Sequence, residues 1–305
     1  MPSFSYTVKE ELAAAINDRD RKYACLYGML VFGTLFSTER ILIRTENESI
    51  YRMFSSLCTE ISGEDCSIAL TTSARRGGKT MYKLEICDSK VCRRLLSLYR
   101  VAESECTRLQ FDIIDNNNLF AFLTGVFLIC GSVTDPMKDY HLEFSVRHSA
   151  LCMDLQALLK LVGIEAKCSE RQGKQILYIK GSESIEDMLT MMGASMSSLE
   201  IMNVKILKDV RSKANRIANC DNANIDKTIK AAEKQISDIE YIIAKRGIDY
   251  LPDELQELAL IRLESPDATL KELGSMLTKT IGRSGVNHRL MRIAAIADEL
   301  REEEP

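Results

Sequence analysis

The side chains best suited to chemistry lie near the C-terminus, in the segment SGVNHRLMRI, which carries Ser284, Asn287, His288, Arg289 and Arg292. Asn can pair bidentately with adenine and Arg with guanine in the major groove, while Lys and Arg neutralise phosphates. Lys271, Lys279 and Arg283 precede the segment and flank it where phosphate contacts would lie. Between Lys271 and Arg292 five bases stand against one acid, Glu272, a local excess of +4 in a chain whose formal charge is −4. A net-acidic chain is a poor indiscriminate coat for nucleic acid. Binding responds to the local field, however, so this excess points to a double-stranded DNA partner.

A second candidate chemistry is metal-dependent phosphodiester cleavage, for which Asp135, Asp139, His141 and Glu143 are the available ligands. Asp135-Pro136 is an ordinary turn dipeptide, and His141 and Glu143 alternate along a strand, so structural roles account for all four. His148, beside Ser149 at a helix start, reads as a capping or surface residue. The ten cysteines are scattered without a CxxC pair, Cys87 and Cys92 being the closest. They read as reduced, mostly buried thiols. No cofactor and no metal site are expected.

The elements that would position the C-terminal cluster are three short helices from Leu251 onward. The first, PDELQELALIRLE, begins at Pro252 with acids in its first turn, as helix N-termini prefer. The second opens at Thr269 with Glu272 three residues on, a capping box; Leu270, Leu273 and Leu277 form its apolar face, where Gly274 would let a following helix cross closely. In the third, with Ser284 as its cap, Val286, Leu290, Ile293, Ala297 and Leu300 recur at four- and three-residue steps and fall on one stripe. The opposite face carries Ser284, His288, Arg292 and Ala295, with Asn287 and Met291 on one flank. Arg289 lies nearer the core edge and is expected to touch a phosphate or the first helix rather than a base. This is the pattern of a helix-turn-helix whose last helix reads the major groove. A three-helix bundle that packs on a protein, with a solvated basic face, would show the same periodicity.

The first two-thirds of the chain repeat themselves about 97 residues apart, from Leu26 to Leu123. Each half opens with an almost wholly apolar helix (KYACLYGMLVFGTLF, LFAFLTGVFLICGSV), then a strand (ERILIRT, YHLEFSVR), an amphipathic helix, a hairpin and a closing helix. Gly28 and Gly125 occupy matching positions, where a missing side chain lets two helix backbones approach. The segments LYGMLVFGT and LTGVFLICG resemble the paired motif helices of LAGLIDADG homing endonucleases. In that family an acid near the end of each motif holds metal at the scissile phosphates. Here the matching positions are Gly33 and Cys130, neither of which supplies the hard oxygen ligand that Mg²⁺ requires. The resemblance therefore implies the fold with degenerate former catalytic positions, and no catalytic residue is assigned.

Between these parts, residues 203–247 read as helical. Ile225, Ile229, Ala232, Ile236, Ile239 and Ile243 form a heptad seam, read here as a helix docking on its own chain, with a dimer or partner helix as the alternative. Lys205, Lys208, Arg211, Lys213 and Arg216 form a basic run just upstream; it extends a DNA footprint or is simply a solvated helix face.

The order of these parts, with the segments SFSYTVKEEL, GSVTDPMKDYHLEF, VRSKANRIANCDNANIDKT and SGVNHRLMRI, resembles the WhiA family of sporulation and cell-division regulators of Gram-positive bacteria over nearly the whole chain. The resemblance implies a LAGLIDADG-like domain without nuclease activity, a linker and a DNA-binding helix-turn-helix similar to sigma-factor region four. It also implies a role in cell division, chromosome segregation or transcription, with sporulation only in sporulating relatives, and leaves room for a protein partner in that machinery.

The expected fold is α+β: a pseudo-symmetric two-repeat LAGLIDADG-like domain followed by an all-α helix-turn-helix domain. The expected boundaries are an N-terminal helical segment at 1–20, the degenerate domain at 21–200 (repeats about 21–105 and 118–198), a helical linker at 201–250 and the helix-turn-helix at 251–305. No apolar run approaches the roughly 20 residues that span a bilayer, and the N-terminus lacks a signal-peptide core. A cytoplasmic, nucleoid-associated, non-enzymatic DNA binder is the leading expectation. The alternatives are an interaction scaffold, in which Arg75, Arg76, Lys79 and Lys83 with Lys167, Arg171, Lys174 and Lys180 would instead preserve a basic saddle, and a residual nuclease using Asp135 or Asp139. Target sequence, sign of regulation and oligomeric state are not legible.

Overall fold

The computed structural model describes residues 2–74, 80–101 and 106–303 and divides into two compact units, Met1–Asp209 and Val210–Pro305. The first is the α+β repeat. After α1 (Phe4–Ala14), its first half runs α2 (Arg19–Val31), β1 (Leu35–Phe36), β2 (Ile41–Thr45), α3 (Glu48–Ser62), β3 (Ala69–Ala74), β4 (Thr80–Ile86) and α4 (Ser89–Leu98). The second half runs α5 (Leu119–Cys130), β5 (Gly131–Val133), β6 (Leu142–Val146), α6 (Ser149–Leu161), β7 (Lys167–Arg171), β8 (Lys174–Ile179) and α7 (Ser182–Met192). Each half builds one antiparallel four-stranded sheet of the same topology, β1-β2-β4-β3 and β5-β6-β8-β7. Sequence periodicity missed β1 and β5, because two or three residues are too few to display an alternation.

α2 and α5 cross at the centre of this unit, α2 buried from Ala24 to Val31 and α5 from Ala121 to Leu128. Their glycines face each other: a Cβ on Gly125 would overlap the Cys25 carbonyl oxygen, and one on Gly28 the Phe122 carbonyl oxygen. Backbone thus meets backbone, and the helices close further than any side chain would allow. Around the crossing, Tyr23, Tyr99, Tyr27 and Phe122 stack in a column with ring centroids 4.6, 5.0 and 5.6 Å apart. The Tyr27 hydroxyl accepts from the Gln110 amide at 2.7 Å, and buried Asp154 accepts from the Leu109 amide at 3.0 Å, which fastens the connection between the halves to both of them. α1 buries Val8 and Leu12 in the same core, and Glu11 accepts from the Met196 and Ser197 amides at 2.6 and 3.0 Å, capping α8 (Ser195–Arg246).

The second unit contains the C-terminal part of α8, then α9 (Asp253–Glu264), α10 (Leu270–Met276) and α11 (Arg283–Glu302). Its core joins Ile239 and Ile242 of α8 to Leu255, Leu258, Leu273, Val286, Leu290, Ile293, Ala297 and Leu300. The stripe expected on the last helix is therefore its buried face. The heptad seam divides: Ala232 and Ile239 are buried and Ile236 and Ile243 half-buried, whereas Ile225 and Ile229 are 56% and 51% exposed. The helix docks on its own chain where α9 to α11 offer an apolar surface, and its earlier turns run past them.

Two local expectations are corrected. The N-cap of α11 lies two residues earlier, at Gly282 and without a side-chain cap, so Ser284 lies within the first turn. At Gly274 the close approach is made chiefly by the connector, since a Cβ there would overlap the Ile281 carbonyl oxygen, with Val286 of α11 only second at 3.1 Å. The capping box is present in full: the Glu272 amide donates to Thr269 Oγ1 at 3.3 Å, and the Thr269 amide to Glu272 Oε2 at 2.8 Å.

Substituting Gly125→Ala is expected to destabilise the first unit by about 3 kcal/mol, because overpacking against backbone outweighs alanine's better helix propensity of about 1 kcal/mol. Urea unfolding of the variant should show the lower midpoint; an unchanged midpoint would mean that the crossing is not close-packed.

Candidate nucleic-acid interface

The outward side of α11 is built by exclusion. With Val286, Leu290, Ile293 and Ala297 committed to the core, the helical period leaves Arg283, Ser284, Asn287, His288, Met291, Arg292 and Ala295 exposed in one continuous stripe. Lys271 on α10 and Lys279 in the connector are exposed as well. Asn287 makes only a weak contact to Met291 Sδ at 3.7 Å, which leaves its amide free to reorient. The two central arginines are already engaged. Arg289 donates to the Glu254 backbone carbonyl at 3.2 Å and is turned toward α9, and Arg292 donates to Glu254 Oε1. That Arg292 bond holds the Glu254 carboxyl below the usual range. The sequence did not point to Glu254, since a first-turn acid on α9 reads as a response to the helix dipole.

The two positions that the sequence aligns with motif acids lie in the first unit. Gly33 follows α2, its amide bonded to the Leu30 carbonyl at 3.2 Å, and Cys130 closes α5, its thiol donating to the Val126 carbonyl at 3.3 Å. Burial pushes the Cys130 thiol up to about 12, so it is neutral. Beside it Lys9, from α1, donates its ammonium to the Leu128 carbonyl at 3.0 Å and lies 5.7 Å from the centre of the Phe127 ring. The positive charge at the carboxyl end of α5 is thus an ammonium, placed where a helix dipole favours a cation. Burial lowers its pKa from 10.5 to about 8, with Cys130 and Glu46 acting in the opposite sense. Lys9 escaped the sequence reading because SYTVKEEL is an unremarkable amphipathic helix until its neighbour is known.

The alternative candidates are spoken for locally. Asp135 accepts from the Met137 amide at 2.9 Å, an Asx turn, and Asp139 from the Tyr140 amide at 2.8 Å. His141 pairs with Glu143 at 3.0 Å and stacks on Tyr178. His148 takes the N-cap position of α6 without a capping hydrogen bond from its side chain. Arg75, Arg76 and Lys79 lie outside the described residues. Lys83 pairs with Glu85 at 2.8 Å, while the alternation of β7 and β8 places Lys167, Arg171 and Lys174 on one exposed sheet face. In the basic run of α8, Lys205 bonds to Glu183 at 3.1 Å and Lys208 to the Pro136 carbonyl at 2.6 Å, whereas Arg211, Lys213 and Arg216 are exposed.

Comparison with known proteins bears on both regions. Residues 119–211 match the WhiA LAGLIDADG-like domain, and residues 214–297 match the WhiA C-terminal HTH domain. The "probable cell division protein WhiA" of Ruminiclostridium cellulolyticum is 36% identical over 307 residues, covering 98% of each chain. Its counterpart in Clostridium novyi is 36% identical over 314 residues, covering 99% of each. The chain belongs to the WhiA family. Full-length WhiA from Thermatoga maritima shares the architecture, with a TM-score of 0.59 at 25% identity over 98% of this chain and 99% of that one. The N-terminal LAGLIDADG domain of WhiA, solved alone, matches with a TM-score of 0.50 at 22% identity over 63% of this chain and 91% of that one. This WhiA chain therefore pairs a degenerate LAGLIDADG domain with a helix-turn-helix. Among its described residues no helix is long and apolar enough to cross a membrane.

The Lys9 site makes a pH-dependent prediction. Between pH about 8 and 10.5 the folded amine is neutral while the unfolded one still holds its proton, so the unfolded state binds more protons and stability rises with pH. Relative to Lys9→Met, the wild-type chain should gain on the order of 2–3 kcal/mol across that window. Urea unfolding of both proteins at pH about 7, 9 and 10 measures it; a constant difference would show that the ammonium is not buried.

Proposed function

We propose that this WhiA-family chain is a DNA-binding regulator with a role in cell division, chromosome segregation or transcription, and that it lacks nuclease activity. α11 would enter the major groove with Ser284, Asn287, His288 and Arg292 toward base edges, while Lys271, Lys279 and Arg283 meet phosphates. The observation that carries the reading is the continuous outward stripe on α11, which the packing of its opposite face leaves turned to solvent. Arg289 would steady α11 against α9, and Arg292 would exchange Glu254 for the duplex on binding. Names given to the curated relatives favour the division role. A cytoplasmic, nucleoid-associated location follows from the same reading.

Gly33, Cys130 and the Lys9 ammonium support the absence of cleavage, because none of the three supplies the hard oxygen ligand that Mg²⁺ requires at a phosphate. Plasmid DNA incubated with Mg²⁺ or Mn²⁺ should stay intact, and cleavage that disappears in Asp135→Asn would reverse this part of the proposal.

The direct test starts from the DNA recovered with the protein by genome-wide immunoprecipitation. On the recovered site, Arg292→Ala should weaken specific binding by about 1–3 kcal/mol if it reads a guanine, with a smaller effect on unrelated duplex. Unchanged affinity and selectivity in a gel shift would remove Arg292 from the readout.

A further inference from the structure

The second unit contains a cleft of about 490 Å³ between α8 and the helix-turn-helix, walled by Lys227 of α8, Arg262 of α9, Lys271 of α10 and Arg283 of α11, and reached also by Asn287. Four elements each send one cation to this space, and among the described residues no carboxylate lines it. Arg246, Arg289, Arg292 and Arg301 of the same unit are distributed differently: each lies beside an acid, namely Glu303, Glu254 (twice) and Asp238. Among the described residues Lys227, Lys271 and Arg283 are exposed and enter no ion pair. Arg262 is the least expected of the four. It is 2% exposed, and its guanidinium donates to two neutral oxygens, Gln235 Oε1 at 3.1 Å and the Ala268 carbonyl at 2.6 Å. A buried cation ordinarily sits against a bonded counter-ion; Asp267 acts on Arg262 only through space, and four cations without a bonded acid are an incomplete electrostatic arrangement.

We propose that this cleft is a phosphate site that takes one backbone phosphodiester of bound duplex DNA, with Lys227 as the ligand contributed from outside the helix-turn-helix. The inference rests on the DNA-binding reading above and deepens it. A tetrahedral oxyanion suits the cluster, because Arg and Lys donate to its several oxygens from different directions. DNA is the source favoured over a free anion because the cleft shares its rim with the reading surface: Asn287 belongs to the outward stripe of α11, and Arg283 begins that helix. A strand that follows the groove past α11 would pass this rim. α8 and α9 thereby join α10 and α11 in the interface, and the footprint extends beyond the last two helices.

Fluorescence anisotropy of labelled duplex with the full-length chain tests the assignment across about 50–300 mM KCl. Lys227→Ala should weaken binding to every duplex alike, about three- to tenfold at the low-salt end. The slope of log K against log[salt] should lose about 0.9, as expected for one phosphate contact. Lys160→Ala, which removes the same charge from α6 of the first unit, should leave the slope unchanged. The thermal midpoint should not move, since Lys227 is exposed. If wild type binds duplex and its slope is indifferent to Lys227, this proposal fails while the helix-turn-helix reading stands; a wild-type chain that binds no duplex overturns both. A parallel titration uses inorganic phosphate alone. If phosphate binding is lost in Lys227→Ala while duplex affinity and slope stay at wild-type values, the cleft serves a free anion and the DNA assignment is overturned.

Discussion

Two helix backbones held in direct contact organise the first unit. Gly28 on α2 and Gly125 on α5 remove the only atoms that would keep the peptide groups apart, and each half then hangs its sheet from its own helix. Both sheets have the same strand order, because the two halves repeat one pattern of strands and helices along the chain. The contact is made of glycines and carbonyls, not of the residues that follow them at Gly33 and Cys130. The packing of the pair therefore does not depend on the residues at those two positions, and Lys9 of α1 brings its ammonium to the carbonyl end of α5.

The second unit depends on a division of labour around α11. Its inward residues fix the helix against α9, α10 and the docked turns of α8, and the fixed helix then offers its remaining face as a surface. Gly274 repeats, on a smaller scale, the logic of the first unit: absence of a side chain admits the connector backbone, and the Ile281 amide returns a bond of 3.2 Å to the Gly274 carbonyl. The geometry between α10 and α11 is thus set by main-chain contact, and the surface residues are left free to meet other demands.

Much of this was legible from residues because periodicity reports burial. The stripe of Val286, Leu290, Ile293, Ala297 and Leu300, the capping box at Thr269, and the paired Gly28 and Gly125 each carry a local signal whose tertiary meaning is nearly unique. Short strands such as β1 carry no such signal. The heptad seam of α8 was readable as apolar but not as half-covered, because Ile225 and Ile239 look alike until the helices that cover one of them are in place. Within the interface, sequence spacing separated the faces of α11 correctly. It could not show that Glu254, about 38 residues earlier, reaches Arg292, nor that Lys227 and Arg262 share a cleft with Arg283. Partners so distant along the chain meet only through packing.

The grip of Glu254 on Arg289 and Arg292 has a kinetic corollary. A carboxylate in that position imitates a phosphate, so on the proposed reading the free protein presents α11 with part of its charge already neutralised by an internal competitor. Any DNA must displace that competitor before Arg292 contributes. Random genomic sequence, which offers little beyond charge, would repay the exchange poorly and release the protein quickly, whereas a site that also engages Asn287 would hold it. An acidic residue near a reading surface would in this way shorten dwell times on the wrong sequence and quicken the search for the right one.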